Sequence, residues 1–466
     1  MLFERVETPG LAHYSYIVGC QAACEIAVVD PKRDVDTYLE YAASQGLRIA
    51  HVLETHIHAD YASGARALAQ RSGAQLWLSA YDSGEIFEVS FPHRETRDGD
   101  VIALGGIKIQ ASHTPGHTPE HLSFLVYDTN RSKDVPMLML SGDFLFVGSL
   151  GRPDLLGEEA KRGLAKALFH SARTKLAALP DGLEIHPGHG AGSMCGAGMD
   201  GRPSSTLGFE RIANPYLDPA LGCEVFIEKI LGSVPLFPAY YKRMKQVNSK
   251  GALHPTTLDG VPALGVSQFK HLLDGGAVAV DLRDQLGFGD GHIPGSLGIG
   301  AAGNLSTWAS WVVPYDRPLL LVGEGAAQME HAVRALVRVG LDDVRGGLMG
   351  GIPAWTQAEY PLVKLPQLSP QQLHEKLRVG GDFSVLDVRS DEEWNAGRIK
   401  GAVHLFGGTL QEHVQEIPQR PLVLVCGSGY RSTVVAGVLE RHGFTNLINM
   451  TGGMNAWYQA GLPTQT

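Results

Sequence analysis

The feature that most constrains this chain is a repeat running through its second half. Residues 277–295 read AVAVDLRDQLGFGDGHIPG, and residues 384–401 read SVLDVRSDEEWNAGRIKG. Asp281 to His292 and Asp387 to Arg398 are the same eleven-residue step. RPLLLVGEG from Arg317 returns as RPLVLVCGSG from Arg420, and GGIPAW from Gly350 returns as GGMNAW from Gly452. Landmarks in one order at a nearly constant offset mark a domain duplication, not a solenoid of short units. In each copy apolar strand runs alternate with helical runs, which suits a small parallel-sheet α/β domain.

The first half has a different texture. Short β-like runs dominate: SYIVG, EIAVVD, IAHVLET, AQLWLSA, VIALGGIKIQAS, HLSFLVYD and PMLMLSGD. Helical segments lie between some of them, such as VDTYLEYAASQG, whose apolar spacing buries one face. Strands mixed with helices predict a layered α/β or α+β domain. The polar, breaker-containing stretch KRMKQVNSKGALHP at 242–255 reads as a domain boundary. Three domains are therefore expected, at 1–250, 255–363 and 364–466, in line with 466 residues at roughly 150 per domain.

Composition narrows the partners. Hydrophobic residues are 44% and charged residues 19%, which is globular, and the net charge is −10. No basic cluster interleaves with aromatics, so nucleic acid is not an expected partner. No apolar run approaches the ~18 residues of a membrane helix, and MLFERVETPG carries early acids without the apolar core of a signal peptide. Cys20, Cys24, Cys195, Cys223 and Cys426 are odd in number and scattered, which is no disulfide framework. A reducing, cytoplasmic setting is expected.

Chemistry gathers at the ends of predicted strands. Residues 49–64 read IAHVLETHIHADYASG, so His56, His58 and Asp60 follow an apolar run and share one face if the strand continues. SHTPGHT at 112–118, LSGD at 140–143 and IHPGHG at 185–190 each follow another apolar run. Imidazole and carboxylate converging from separate loops are what a divalent metal needs.

THIHAD, HTPGHT, SGD and PGHG, in this order, resemble the metallo-β-lactamase superfamily over residues 1–244. The resemblance implies a four-layer αββα sandwich with the metal at one edge of its two sheets. It places His56, His58, His117, Asp143 and His189 at ligand positions, with Asp60 beside them. The family's dinuclear hydrolases carry a histidine where this chain has Tyr61. A neutral phenol is a poor ligand for a second zinc, so one metal is expected. GDFLFVGSLGRPDL at 142–155 is similar to one branch, the persulfide dioxygenases, which hold a single Fe(II) through two histidines and one aspartate. That implies His56, His117 and Asp143 as ligands. His58, Asp60 and His189 then touch the ligands or bound water, with direct coordination by His58 left open. Such a face leaves about three positions on a six-coordinate Fe(II), room for a persulfide sulfur and O2, and its net positive charge favours an anion. Arg152 is a candidate to grip a substrate carboxylate or phosphate, or else a salt bridge holding its own loop.

In RPLVLVCGSGYRS, from Arg420, a strand runs into Cys426, then Gly427, Ser428, Gly429 and Tyr430, closed by Arg431. The glycines let the loop curl its N–H groups inward around a thiolate. With LDVRS, GRIKGA and GGMNAW, residues 364–466 resemble the rhodanese family, which carries sulfane sulfur as a cysteine persulfide. The C-x4-R spacing is one residue shorter than in related phosphatases and suits sulfur, while Arg398 replaces a more usual histidine. The middle copy looks like the same family but has Gly323 in place of the nucleophile and no closing arginine. It is expected to serve spacing, oligomer contact or the shaping of the other sites. Cys195 reads either as a sulfur-accepting thiol near the metal or as a small buried side chain.

Together the resemblances imply a persulfide dioxygenase–rhodanese fusion in sulfide detoxification. Its expected cofactor is one Fe(II) per chain, with zinc as the alternative. Its expected partners are a coenzyme A, glutathione or cysteine persulfide, O2 and sulfite, within a homo-oligomer. The competing expectation is a zinc thioester hydrolase of glyoxalase II type fused to rhodanese domains.

Overall fold

The computed structural model describes residues 1–465. The chain divides into two compact units, Met1–His254 and a second that begins at Pro255.

In the first unit every apolar run singled out above forms strand, and VIALGGIKIQAS forms a hairpin of Val101–Leu104 and Ile107–His113. One six-stranded sheet runs in the order Leu2–Thr8, His13–Cys20, Glu25–Val29, Arg48–Leu53, Gln75–Ser79, Arg94–Thr96. The other runs Ser205–Thr206, Glu184–Pro187, Leu138–Gly142, Leu122–Asp128, Ile107–His113, Val101–Leu104. Alternation sorts the side chains. Tyr16, Val18, Ala27 and Val29 meet Ile109, Phe124, Val126 and Leu140 between the sheets. The opposite faces are covered by helices. Tyr38 and Leu68, from Asp36–Gln45 and Ala65–Ser72, pack on Ile26 and Val28. Leu168 and Phe226, from Glu158–Thr174 and Cys223–Ser233, pack on Met139 and Ile185. The result is the four-layer αββα sandwich.

The polar stretch at 242–255 is not a linker throughout. Most of it lies in the helix Tyr240–Lys250. The division between the two units, after His254, falls within the stretch as expected, but Lys245 and Asn248 are buried in the first unit.

The second unit holds two five-stranded parallel sheets of identical order. One runs Ala263–Leu264, Val344–Leu348, Leu319–Val322, Val278–Asp281, Leu297–Gly298. The other runs Gln367–Leu368, Leu447–Met450, Leu422–Val425, Ser384–Asp387, Val403–His404. The duplication extends to single bonds. Arg283 pairs with Asp281 and donates to the Gly291 carbonyl, as Arg389 does to Asp387 and Gly397. Trp355 donates its indole N–H to Pro361 O, as Trp457 does to Pro463 O.

Candidate metal centre and sulfur-carrying loop

Four loops at the carboxyl ends of strands meet at one edge of the sandwich. The loop after Arg48–Leu53 brings His56, His58 and Asp60. That after Ile107–His113 brings His117, Leu138–Gly142 leads into Asp143, and Glu184–Pro187 leads to His189. Gly142 has φ 52, and a Cβ there would lie 2.6 Å from His121 Nε2 and 2.8 Å from Thr55 Cβ, so the turn that presents Asp143 requires glycine.

His56, His117 and Asp143 each turn one ligand atom to a common point, all within 4.8 Å of one another. His117 Nε2 is 3.4 Å and His56 Nε2 3.8 Å from Asp143 Oδ2. All three atoms are buried and have no hydrogen-bond partner among the described residues. Buried polar atoms are normally satisfied, so this convergence fits a metal ion. The opposite side of each ligand is engaged. His117 Nδ1 donates to Arg152 O at 2.8 Å. Thr55 Oγ1 donates to Asp30 and therefore accepts from His56 Nδ1 at 2.9 Å. Asp143 Oδ1 accepts from His189 Nδ1 at 2.7 Å, leaving Oδ2 as its single free donor. These outer bonds fix tautomers so that the lone pairs face inward. Burial, then the neighbouring histidines, drives His56 and His117 well below the usual histidine range, so both are neutral imidazoles able to ligate.

The other expected groups differ from one another. His58 donates Nε2–H to Asp30 Oδ1 at 3.1 Å, and its buried Nδ1 has no hydrogen-bond partner. His189 is spent between two carboxylates, with Nε2 donating to Asp60 Oδ2 at 2.7 Å as well. Burial alone would lower it, but Asp143 and Asp60 hold it well above the usual range as an imidazolium. Asp60, His189 and Cys195 form a second buried cluster. The Cys195 thiol is pushed well up by burial and by Asp60 and Asp143, and it lies 3.8 Å from Tyr241 OH. Tyr61 is fully buried, donates to Asp30 O at 3.3 Å, and its tilted ring centroid lies 4.1 Å from that of His13 and 4.5 Å from that of His58.

Arg152 departs from its expected role as a substrate grip. The residue is 1% exposed, and its guanidinium pairs with both Asp154 oxygens at 2.7 and 2.9 Å and donates to Met194 O and Pro235 O. The group that reaches the site is its carbonyl, through His117. The salt-bridge alternative describes its placement.

Sequence reading missed several supports. Asp30 closes the apolar run EIAVVD and anchors Thr55 through N–H and hydroxyl. An aspartate ending a strand was the available signal. His121 Nε2 accepts from Asp143 N at 3.0 Å. Lys245 donates to Ile57 O, and Asn248 donates to His58 O and Tyr61 O, stapling the first loop from a helix nearly two hundred residues away in sequence. No local signal marks either residue.

In the second unit Cys426 directly follows the strand Leu422–Val425 and is fully buried. Its Sγ accepts from Gly429 N at 3.1 Å and lies 3.3 Å from Ser432 Oγ. Gly427 and Gly429 are buried, Ser428 is exposed and Tyr430 half-buried. Arg431 closes the loop but gives both terminal nitrogens to Glu393, each at 2.6 Å. Burial would raise the Glu393 carboxyl, yet Arg431 and the Ser390 capping contacts bring it to about 2. Arg398 turns away over the Trp394 ring at 5.0 Å. In the middle repeat Gln328 folds into the corresponding loop. Its Oε1 accepts from Glu324 N at 2.7 Å and sits 2.7 Å from where a Gly323 Cβ would stand, filling the place of a nucleophile.

Comparison with known proteins agrees with this division. The metallo-beta-lactamase superfamily matches residues 9–189, and the rhodanese-like domain matches residues 266–358 and 369–460. Hydroxyacylglutathione hydrolase GloC of Haemophilus influenzae is 28% identical over 209 residues, 41% of this chain and 87% of that protein. The mitochondrial persulfide dioxygenase ETHE1 of Homo sapiens is 28% identical over 242 residues, 51% of this chain and 82% of that protein. A solved metallo-beta-lactamase from Staphylococcus aureus is 34% identical with a TM-score of 0.66, covering 74% of this chain and 98% of its own.

Proposed function

This chain belongs to the metallo-beta-lactamase superfamily and carries two rhodanese-like domains, and from that premise we propose a bifunctional persulfide dioxygenase and sulfurtransferase. Residues 1–250 carry the oxygenase, 364–466 the transferase, and 255–363 a degenerate repeat. The observation that carries the reading is the trio of buried, unbonded donors His56 Nε2, His117 Nε2 and Asp143 Oδ2. Two neutral imidazoles and one carboxylate oxygen are the donor set of mononuclear Fe(II) oxygenases. Bound there, Fe(II) would activate O2 beside a substrate persulfide.

The chain's own residues prepare that site. His189 and His121 hold Asp143 so that it offers one oxygen, not two. Tyr61, its phenol kept neutral by burial, fills the position a second metal's histidine would take. The substrate class is a low-molecular-weight thiol persulfide carried by glutathione, coenzyme A or cysteine. Its oxidation balances as RSSH + O2 + H2O giving RSH, sulfite and two protons. Cys426 then takes sulfane sulfur from a second persulfide, releasing the thiol, and the terminal sulfur passes to sulfite as thiosulfate while the Cys426 thiolate returns. Free cysteines throughout the chain suit a reducing, cytoplasmic compartment. Among the described residues no helix is long and apolar enough to cross a membrane.

The kinship with GloC and the unbonded His58 Nδ1 favour a second reading, a zinc thioester hydrolase using three imidazoles. Product analysis separates the two. Wild-type protein given glutathione persulfide in air should form thiosulfate, and Cys426→Ser should form sulfite in its place. Neither product from persulfide, with thiol released from S-lactoylglutathione, would overturn the oxygenase in favour of the hydrolase.

A further inference from the structure

The middle repeat has Gly323 where a nucleophile would stand, but it makes an extended contact with the repeat that carries Cys426. The helix Tyr430–Arg441, which follows the Cys426 loop directly, lies along the middle repeat. Glu440 accepts from His292 Nε2 at 2.9 Å and Arg441 donates to Gly295 O at 3.1 Å at its far end. At its near end the Tyr430 hydroxyl donates to Gly300 O at 3.3 Å. The Tyr430 ring fits against Gly303, where any Cβ would stand 2.5 Å from a ring carbon.

Beyond the near anchor, in the Cys426 loop itself, Gln285 of the middle repeat donates Nε2–H to Ser428 O at 3.5 Å. That carbonyl belongs to the same peptide as the Gly429 N–H, which donates to Cys426 Sγ at 3.1 Å. A trans peptide is planar, with C=O and N–H pointing to opposite sides. Fixing the oxygen outward therefore fixes the N–H on the sulfur, and hydrogen bonds in series polarise one another. Ser428 O and the Tyr430 side chain are thus held by residues the third repeat does not own.

We infer that the degenerate repeat is a working part of the sulfur-transfer site, and that its Gln285 is a positioning residue that sets the Ser428–Gly429 peptide against the Cys426 sulfur. This rests on the reading of Cys426 as the sulfur carrier. The contact gives a repeat without a nucleophile a use in the chain.

The test uses the full-length protein, with thiosulfate as sulfur donor and cyanide as acceptor. Gln285→Ala and Gln285→Glu, which lack the donor, should lower kcat about five-fold, the scale of one lost hydrogen bond, with KM for thiosulfate little changed in Gln285→Ala. Gln285→Lys, which restores a donor, should recover most of kcat. Persulfide-dependent O2 uptake should be unchanged in all three. Wild-type kcat in both Gln285→Ala and Gln285→Glu, while Cys426→Ser is inactive, would overturn the inference and leave the carrier reading standing. Equal failure of all three variants, Gln285→Lys included, would show that Gln285 serves packing alone and would also overturn it. Equal activity in wild type and Cys426→Ser would instead remove the carrier reading, and this inference with it.

Discussion

The Arg152 guanidinium is fully engaged inside the protein, so its loss is a matter of stability before it is one of substrate affinity. Arg152→Ala strands Asp154 and unpairs the carbonyls of Met194 and Pro235. Breaking such a buried pair costs about 3 kcal/mol or more. The expected outcome is a marked fall in denaturation midpoint, and an unaltered midpoint with a raised KM would contradict it. Glu393 gives a second residue-scale prediction. Its folded value of about 2 lies below the unfolded carboxylate range of about 4.3, so it contributes stability fully present above that range and lost as pH falls through about 2. Acid titration of stability should therefore show a steeper loss below pH 4.5 in wild type than in Glu393→Gln. At this scale the histidines and Asp143 were legible because metal chemistry demands few residue types. Arg152 was not, because sequence cannot tell a guanidinium facing a pocket from one facing Asp154.

The elements that shape the metal loop lie far apart in sequence. The helix Tyr240–Lys250 reaches back to 57–61 through Lys245 and Asn248. Removing the Asn248 amide leaves the buried carbonyls of His58 and Tyr61 unpaired, at about 1–3 kcal/mol for each such group. Asn248→Ala should thus lose metal several-fold more readily to a chelator than wild type, with far-UV circular dichroism preserved. Equal retention would show that the loop holds its shape without the helix. The strands were legible because period-two burial in two packed sheets writes itself into the apolar runs. This helix was not, because its buried face is polar, and a polar stretch with breakers reads as a domain boundary without showing that its first part is a packed helix.

On the scale of the whole molecule, the chain joins a metallo-beta-lactamase fold to two rhodanese-like domains, and in the proposed function the product of the first is the acceptor for the last. The duplication was plain in sequence through its landmarks, and the degenerate copy through Gly323. The bonds from the middle repeat to the Cys426 loop were not, because they join residues about 130–143 positions apart with no pattern between them. The central claim is that His56, His117 and Asp143 hold one Fe(II) that oxidises persulfide. The most direct measurement is metal content of protein purified without oxygen, together with O2 consumption when glutathione persulfide is added. The account predicts about one iron per chain and O2 uptake that disappears in His117→Ala. Two zincs per chain with no O2 uptake would contradict it and assign the first unit to hydrolysis.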